Sequence, residues 1–173
     1  MSTLYVDTIN EKTSGNGIYI PGHVVQVVQG ESTALTTFQT ASWADTGISA
    51  TITPKLSNSK VLVIVNSNFG TEQGGRNFSS RLLRGTTAIG GGTDSTNRQA
   101  FAHTEMSVIG YQYSILPHNI TFFDSPATTS ATTYKTQIIQ NATGYTTYLN
   151  RTHDNSSAQA NTRSTITLIE IAQ

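Results

Sequence analysis

The chain has 173 residues, ten basic and ten acidic side chains and a formal net charge of zero, and only 12% of it is charged. That length suits one domain with a short extension, and so little charge, evenly balanced, excludes a binder of nucleic-acid backbones, which needs a concentrated basic face. Cysteine is absent, which excludes disulfides and thiolate metal cages.

Polarity comes instead from Thr, Ser and Asn, with Thr alone roughly one residue in six, well above ordinary usage. Thr favours strands, whereas Ser and Asn favour turns. The opening "MSTLYVDTINEK" has no positive region followed by an apolar stretch, so no export signal is expected. The longest apolar run, "VLVIV" at 61–65, is far too short for a membrane span. No window repeats apolar residues at helical spacing without Gly or β-branched interruption. Strand patterns recur instead, in order at 4–9, 17–20, 23–29, 46–53, 60–69, 78–84, 112–116, 119–123, 132–139, 145–149 and 163–171. Many short strands with polar turns between them predict an all-β sandwich. The glycines at 90–92 and the Asn/Ser-rich 154–162 read as surface loops.

The first thirty residues offer narrow strands that cannot form a sheet alone, since three or more strands are needed for independent stability. They must pack on the rest of the chain or on copies of it. In 60–69, Val61, Val63 and Val65 point one way and Leu62 and Ile64 the other. In 163–171, Ile166 and Leu168 share a face, with Ile169 and Ile171 opposite. An antiparallel sandwich strand normally has one wet face, so two-faced apolar strands need a second cover. One explanation is a β-bulge in the last strand and a loop over the central one. The other, which we adopt as the expectation, is a subunit interface. In "HVVQVVQG" the valines straddle Gln26 and Gln29, a spacing suited to a narrow axis where chains meet. The expected trimer interface is Val24, Val25, Gln26, Val27, Val28, Val63, Val65, Ile169 and Ile171.

Motifs for catalysis are missing: there is no G-x-S-x-G, H-E-x-x-H, Walker loop or dinucleotide fingerprint. "GTTAIGGGT" at 85–93 lacks the lysine and helix of a phosphate loop and reads as a flexible turn. His103 with Glu105, and His153 with Asp154, are the His–carboxylate neighbours, and surface pairing explains both more simply than catalysis or metal binding. His23 could converge with its copies on an axis and hold a metal there, or simply bond to backbone at the neck. No cofactor is expected. Tyr111, Tyr113, Tyr145 and Tyr148, with Asn150 and Arg151, have the composition of adaptable recognition surfaces and are the expected receptor contact. Strand packing is the competing explanation for the tyrosines.

"STLYVDTINEKTSGNGIYIPGHVVQVVQ" resembles the N-terminal stretch of small virion proteins of tailed phages from marine and freshwater bacteria, of the cyanophage type. "DTGISATITPKLSNSKVLVIVN", "LLRGTTAIGGG", "DSPATTSATTYKTQ" and "STITLIEIAQ" resemble their head domain in the same order. The resemblance covers nearly the whole chain. It implies a homotrimer with a thin β stem carrying a jelly-roll-like β-sandwich head, similar in plan to tumour necrosis factor or complement globular heads. Here the stem would occupy residues 1–29 and the head residues 30–173. The resemblance implies a non-enzymatic structural protein on the particle exterior, made in the bacterial cytoplasm, held to other virion proteins by residues 1–22. Its head would be able to meet a host surface glycan, with neither nucleic acid nor membrane insertion involved. Full tail fibres carry a long shaft upstream of this stretch, so tail and capsid attachment both stay open. A capsid decoration or cement protein is the alternative. A glycan-degrading spike is less favoured, because glycoside hydrolysis needs two carboxylates across a cleft and acids are sparse. A host-side lectin is least in keeping with the resemblance.

Overall fold

A computed structural model describes residues 6–10, 20–72, 78–92, 113–140, 144–154 and 156–173. Among them there is no helix, hence none long and apolar enough to cross a membrane. Ten strands are present: β1 (Val24–Ser32), β2 (Thr37–Phe38), β3 (Ala44–Ile52), β4 (Lys60–Thr71) and β5 (Phe78–Arg84), then β6 (Thr87–Ile89), β7 (Leu116–Asp124), β8 (Thr132–Gln140), β9 (Thr147–Leu149) and β10 (Ser164–Ile171). They form two antiparallel sheets in a sandwich-like arrangement. Sheet A runs β1-β10-β4-β9-β2, with β7 on the other edge of β4, and sheet B runs β3-β8-β5-β6.

Alternation in the sequence decides which face each strand buries. Val61, Val63 and Val65 of β4 and Ile166 and Leu168 of β10 point between the sheets, where they meet Ile48 and Ile52 of β3, Leu82 of β5 and Tyr134 and Ile138 of β8. β10 pairs with β4 without a break, from Thr165↔Asn66 to Ile171↔Lys60. The last strand therefore carries no bulge there. The irregularity lies in β1, where Val24 pairs Ile171 and Gln26 pairs Glu170, leaving Val25 as the extra residue.

Several expected boundaries move, each for a physical reason. β1 runs its whole length against β10 of the same chain, so the division at residue 29 cuts a strand, and 24–29 belong to the sandwich rather than to a separate stem. Gly30 does not end this strand but lets it pass β3: a Cβ there would lie 2.0 Å from the Ser49 carbonyl oxygen. Leu116, the last residue of the predicted strand 112–116, joins 119–123 in β7 through Pro117, whereas 113–115 are not strand and 112 lies outside the described residues. Among the described residues β7 pairs only with β4, and an edge strand tolerates a residue with no N–H. The stretch expected as a turn at 85–93 contains the short strand β6, because β5 and β6 form a hairpin through Gly85 and Thr86. The predicted strand 17–20, apart from Ile20, and residues 4 and 5 of the predicted strand 4–9 lie outside the described residues, while residues 6–9 of the latter are not strand.

Buried polar groups tie the sheets together. Arg84 of β5 donates from Nη1 to Asp124 of β7 at 2.9 and 3.0 Å, and Tyr134 Oη of β8 donates to Asp124 Oδ2 at 2.6 Å. Burial, then the bond to Asp124 and its charge, push the Tyr134 hydroxyl well above the ordinary tyrosine range. On the same cross-strand row as Asp124, on the far side of Val61, Glu170, fully buried on β10, accepts from the backbone N–H of Lys55 and Leu56, from Ser59 Oγ and from Gln26 Nε2. Four donors on one carboxylate compensate its removal from water.

Candidate functional site

The outer face of sheet A is where two-faced strands leave apolar side chains in the open. Register aligns them in rows across four strands: Val27 with Ile169, Ile169 with Leu62, and Leu62 with Phe123. A second row is Gln29, Thr167, Ile64 and Thr121, and at the end Val24 meets Ile171 beside Lys60. Val27 is 58% exposed, Val24 52% and Phe123 44%, while Leu62, Ile64, Ile169 and Ile171 are half-buried. Lys60 Nζ stands 5.3 Å above the Phe123 ring. Contiguous apolar rows of this kind on a soluble face mark contact surfaces, whereas single exposed hydrophobics are ordinary.

This face gathers Val24, Val27, Ile169 and Ile171 of the expected interface and adds Leu62, Ile64 and Phe123. The other expected residues lie elsewhere. Val63 and Val65 are 0% exposed in the core of the single chain, so they cannot line a contact between chains. Val28 packs inward against that core. Gln26 also faces inward, with Nε2 donating to Thr53 O at 2.7 Å and Glu170 Oε2 at 2.6 Å, so its amide is engaged within its own chain. The bulge at Val25 shifts the phase of β1, which is why Gln26 rather than Val27 turns to the interior.

The expected receptor cluster is not assembled as a surface. Asn150 is 0% exposed and adopts φ 62°. Its Nδ2 donates to the carbonyls of Ser32 and Ala34 at 2.9 and 3.1 Å, and its Oδ1 accepts from Ser164 Oγ at 2.6 Å. It is a structural joint between β9, β10 and the chain leaving β1. Tyr148 is buried under the Arg151 guanidinium, 4.1 Å from its ring centroid, and its hydroxyl meets His153 Nδ1 at 2.9 Å. Tyr145 is half-buried and Tyr113 is exposed. Tyr111, like His103 and Glu105, lies outside the described residues.

His23 Nδ1 lies 2.6 Å from the Ile20 carbonyl oxygen, a local backbone bond at the entry to β1. His153 bonds to Tyr148, while Asp154 Oδ1 accepts from the Ser156 N–H, so the sequence neighbours are not joined. Among the described residues no three His, Asp or Glu side chains gather as metal ligands would. Sequence reasoning did not single out His118, which is fully buried on β7 with Nδ1 3.2 Å from Ser80 Oγ and its ring beside Phe69 and Phe78. Its place in the alternation of β7, two residues before Ile120, was the available signal.

In comparisons with known proteins, no family model matches the chain and no curated protein matches it.

Proposed function

We propose that this is a non-enzymatic structural protein of a tailed-phage virion, a short homotrimeric appendage whose subunits meet through the outer face of sheet A. The observation that carries this reading is the row Val27–Ile169–Leu62–Phe123, an apolar stripe four strands wide that is exposed at Val27 and Phe123 and has Lys60 over its Phe123 end. The strand orders β1-β10-β4-β7 and β3-β8-β5-β6 suit a jelly roll, in which first and last strands are neighbours. The resemblance to phage virion proteins supplies the setting. Residues 1–22 attach the trimer to the particle, and sheet B, on the far side of the sandwich from the contact, faces outward.

Sedimentation equilibrium at micromolar concentration tests the assembly. The expected mass is about 56 kDa, three times the 18.6 kDa of one chain. A mass equal to one chain removes the reading. The cement alternative shares the trimer but docks through the head. Deleting residues 2–16 separates the two, since the head alone then still incorporates into particles.

A further inference from the structure

The outer face of sheet B carries five side chains joined in series. Arg81 of β5 donates from Nε and Nη2 to Gln137 Oε1 of β8 at 2.9 and 2.6 Å. Gln137 Nε2 donates to Asp45 Oδ1 of β3 at 2.6 Å, and Lys135 Nζ of β8 donates to Asp45 Oδ2 at 2.7 Å. At the other end the Arg81 guanidinium lies 4.1 Å from the Trp43 ring centroid. Trp43 is the one tryptophan of the chain and is partly exposed.

The backbone is shaped to make this series. Asp45 pairs with Gln137 and Ser49 with Lys135, so residues 46–48 of β3 stand opposite residue 136 alone. Gly47 makes the bulge possible at φ 80°, and a Cβ there would meet nothing within 4 Å. A bulge bends its strand and re-aims a side chain. Here it lets Asp45 reach both Gln137 directly across and Lys135 further along β8.

Capacity for hydrogen bonding remains along the series. Arg81 Nη1 makes no hydrogen bond among the described residues, and no carboxylate pairs directly with the guanidinium. Lys135 uses one of its three donors, and each Asp45 oxygen accepts one bond. Burial draws Arg81 below its ordinary value, with Asp45 opposing. Fixed donors and acceptors alternating beside an aromatic surface match a ring whose substituents both donate and accept and whose ring hydrogens are apolar.

We infer that the Trp43–Arg81–Gln137–Asp45–Lys135 surface is a binding site for a pyranose saccharide, with hydroxyls on Asp45, Lys135 and Arg81 Nη1 and the C–H edge against the indole. This rests on the proposed function for its orientation, because subunit contact through sheet A turns sheet B to the outside. It places the glycan contact on the opposite sheet from the tyrosine cluster expected from sequence. One such site binds weakly, and three on a trimer raise apparent affinity on a surface displaying many copies.

The single tryptophan provides the readout. The full-length protein is titrated with neutral hexose oligosaccharides and, separately, with hexuronate oligosaccharides, following indole fluorescence and the indole N–H resonance. Saturable shifts in the millimolar range are expected with at least one series. Binding should weaken at least tenfold in Arg81→Ala and in Asp45→Ala, and stay unchanged in Thr51→Ala, on the same sheet face but outside the series. A response to hexuronates alone assigns the Arg81 Nη1 donor to a sugar carboxylate, and a response to neutral sugars assigns it to hydroxyls. No shift with either series in protein of trimer mass overturns the site and leaves the assembly standing. Shifts in protein of monomer mass keep the site and remove the assembly. Arg81→Ala that melts as the parent does and binds equally well also overturns the site.

Discussion

Replacing Val27 by Asp places three carboxylates on the face proposed to join the subunits. Full burial of a valine side chain contributes about 1.5–3 kcal/mol. Since Val27 is 58% exposed in one chain, assembly withdraws about 1–1.5 kcal/mol of that per copy. A charged group buried without a partner costs about 3 kcal/mol more. Over three copies the loss is roughly 12 kcal/mol, or about 4 × 10^8-fold in the three-body association constant. The concentration at which monomer and trimer balance varies with the inverse square root of that constant, so it rises about 10^4-fold. The isolated chain should tolerate the change, because the position is exposed there and the strand preference lost is about 1 kcal/mol. Sedimentation velocity at micromolar concentration should therefore give a folded monomer for Val27→Asp and the parental trimer for Ser57→Asp, which sits in the exposed turn before β4. A Val27→Asp protein that sediments as the parent at the same concentration refutes the assignment of this face.

Asn150→Ala should lower stability by about 2–3 kcal/mol, since it strips partners from the buried Ser32 carbonyl and the buried Ser164 hydroxyl and from the part-buried carbonyl of Ala34; urea unfolding with an unchanged m-value reads this directly. Tyr134 should stay protonated while the exposed tyrosines ionise in a spectrophotometric titration. Its folded value is raised above the unfolded one near 10, so the stability it contributes is complete below that pH and is lost as pH rises above it. Tyr134→Phe should flatten that alkaline decline, and an equally steep decline in the variant would exclude Tyr134 as its source.

The alternation of Val61, Val63 and Val65 against Leu62 and Ile64 announced both the core face and the apolar outer face of sheet A, because a side-chain period of two is written directly in the sequence. The same held for Ile166 and Leu168 against Ile169 and Ile171. Alternation failed in β1, where a bulge at Val25 exchanged the faces of Gln26 and Val27, and no residue there signals a bulge. Pro117 and Gly30 read as stops by local chemistry, yet one lies on an edge strand and the other where two backbones nearly touch. Asn150 read as surface because Asn usually is, while its burial depends on carbonyls over a hundred residues away. The Trp43–Arg81–Gln137–Asp45 series was invisible for a related reason. It is assembled by cross-strand register among β3, β8 and β5, and nothing in the spacing of positions 43, 45, 81 and 137 foretells that.

The pairing of β1 with β10 also sets a timetable for the ribosome. Gln26 and Glu170, joined by a hydrogen bond, are 144 positions apart, so at about 5–20 residues per second β1 waits roughly 10–30 s for its partner to be synthesised. Throughout that interval its valines lack β10, and the outer face of sheet A, whose rows run through β10, is incomplete. Copies on one polysome therefore cannot assemble through that face while they grow, and subunits can meet only after each chain has closed on itself. Such late closure of distant strands favours slow folding, and the sparse charge of the chain gives an unfinished copy little repulsion against its neighbours.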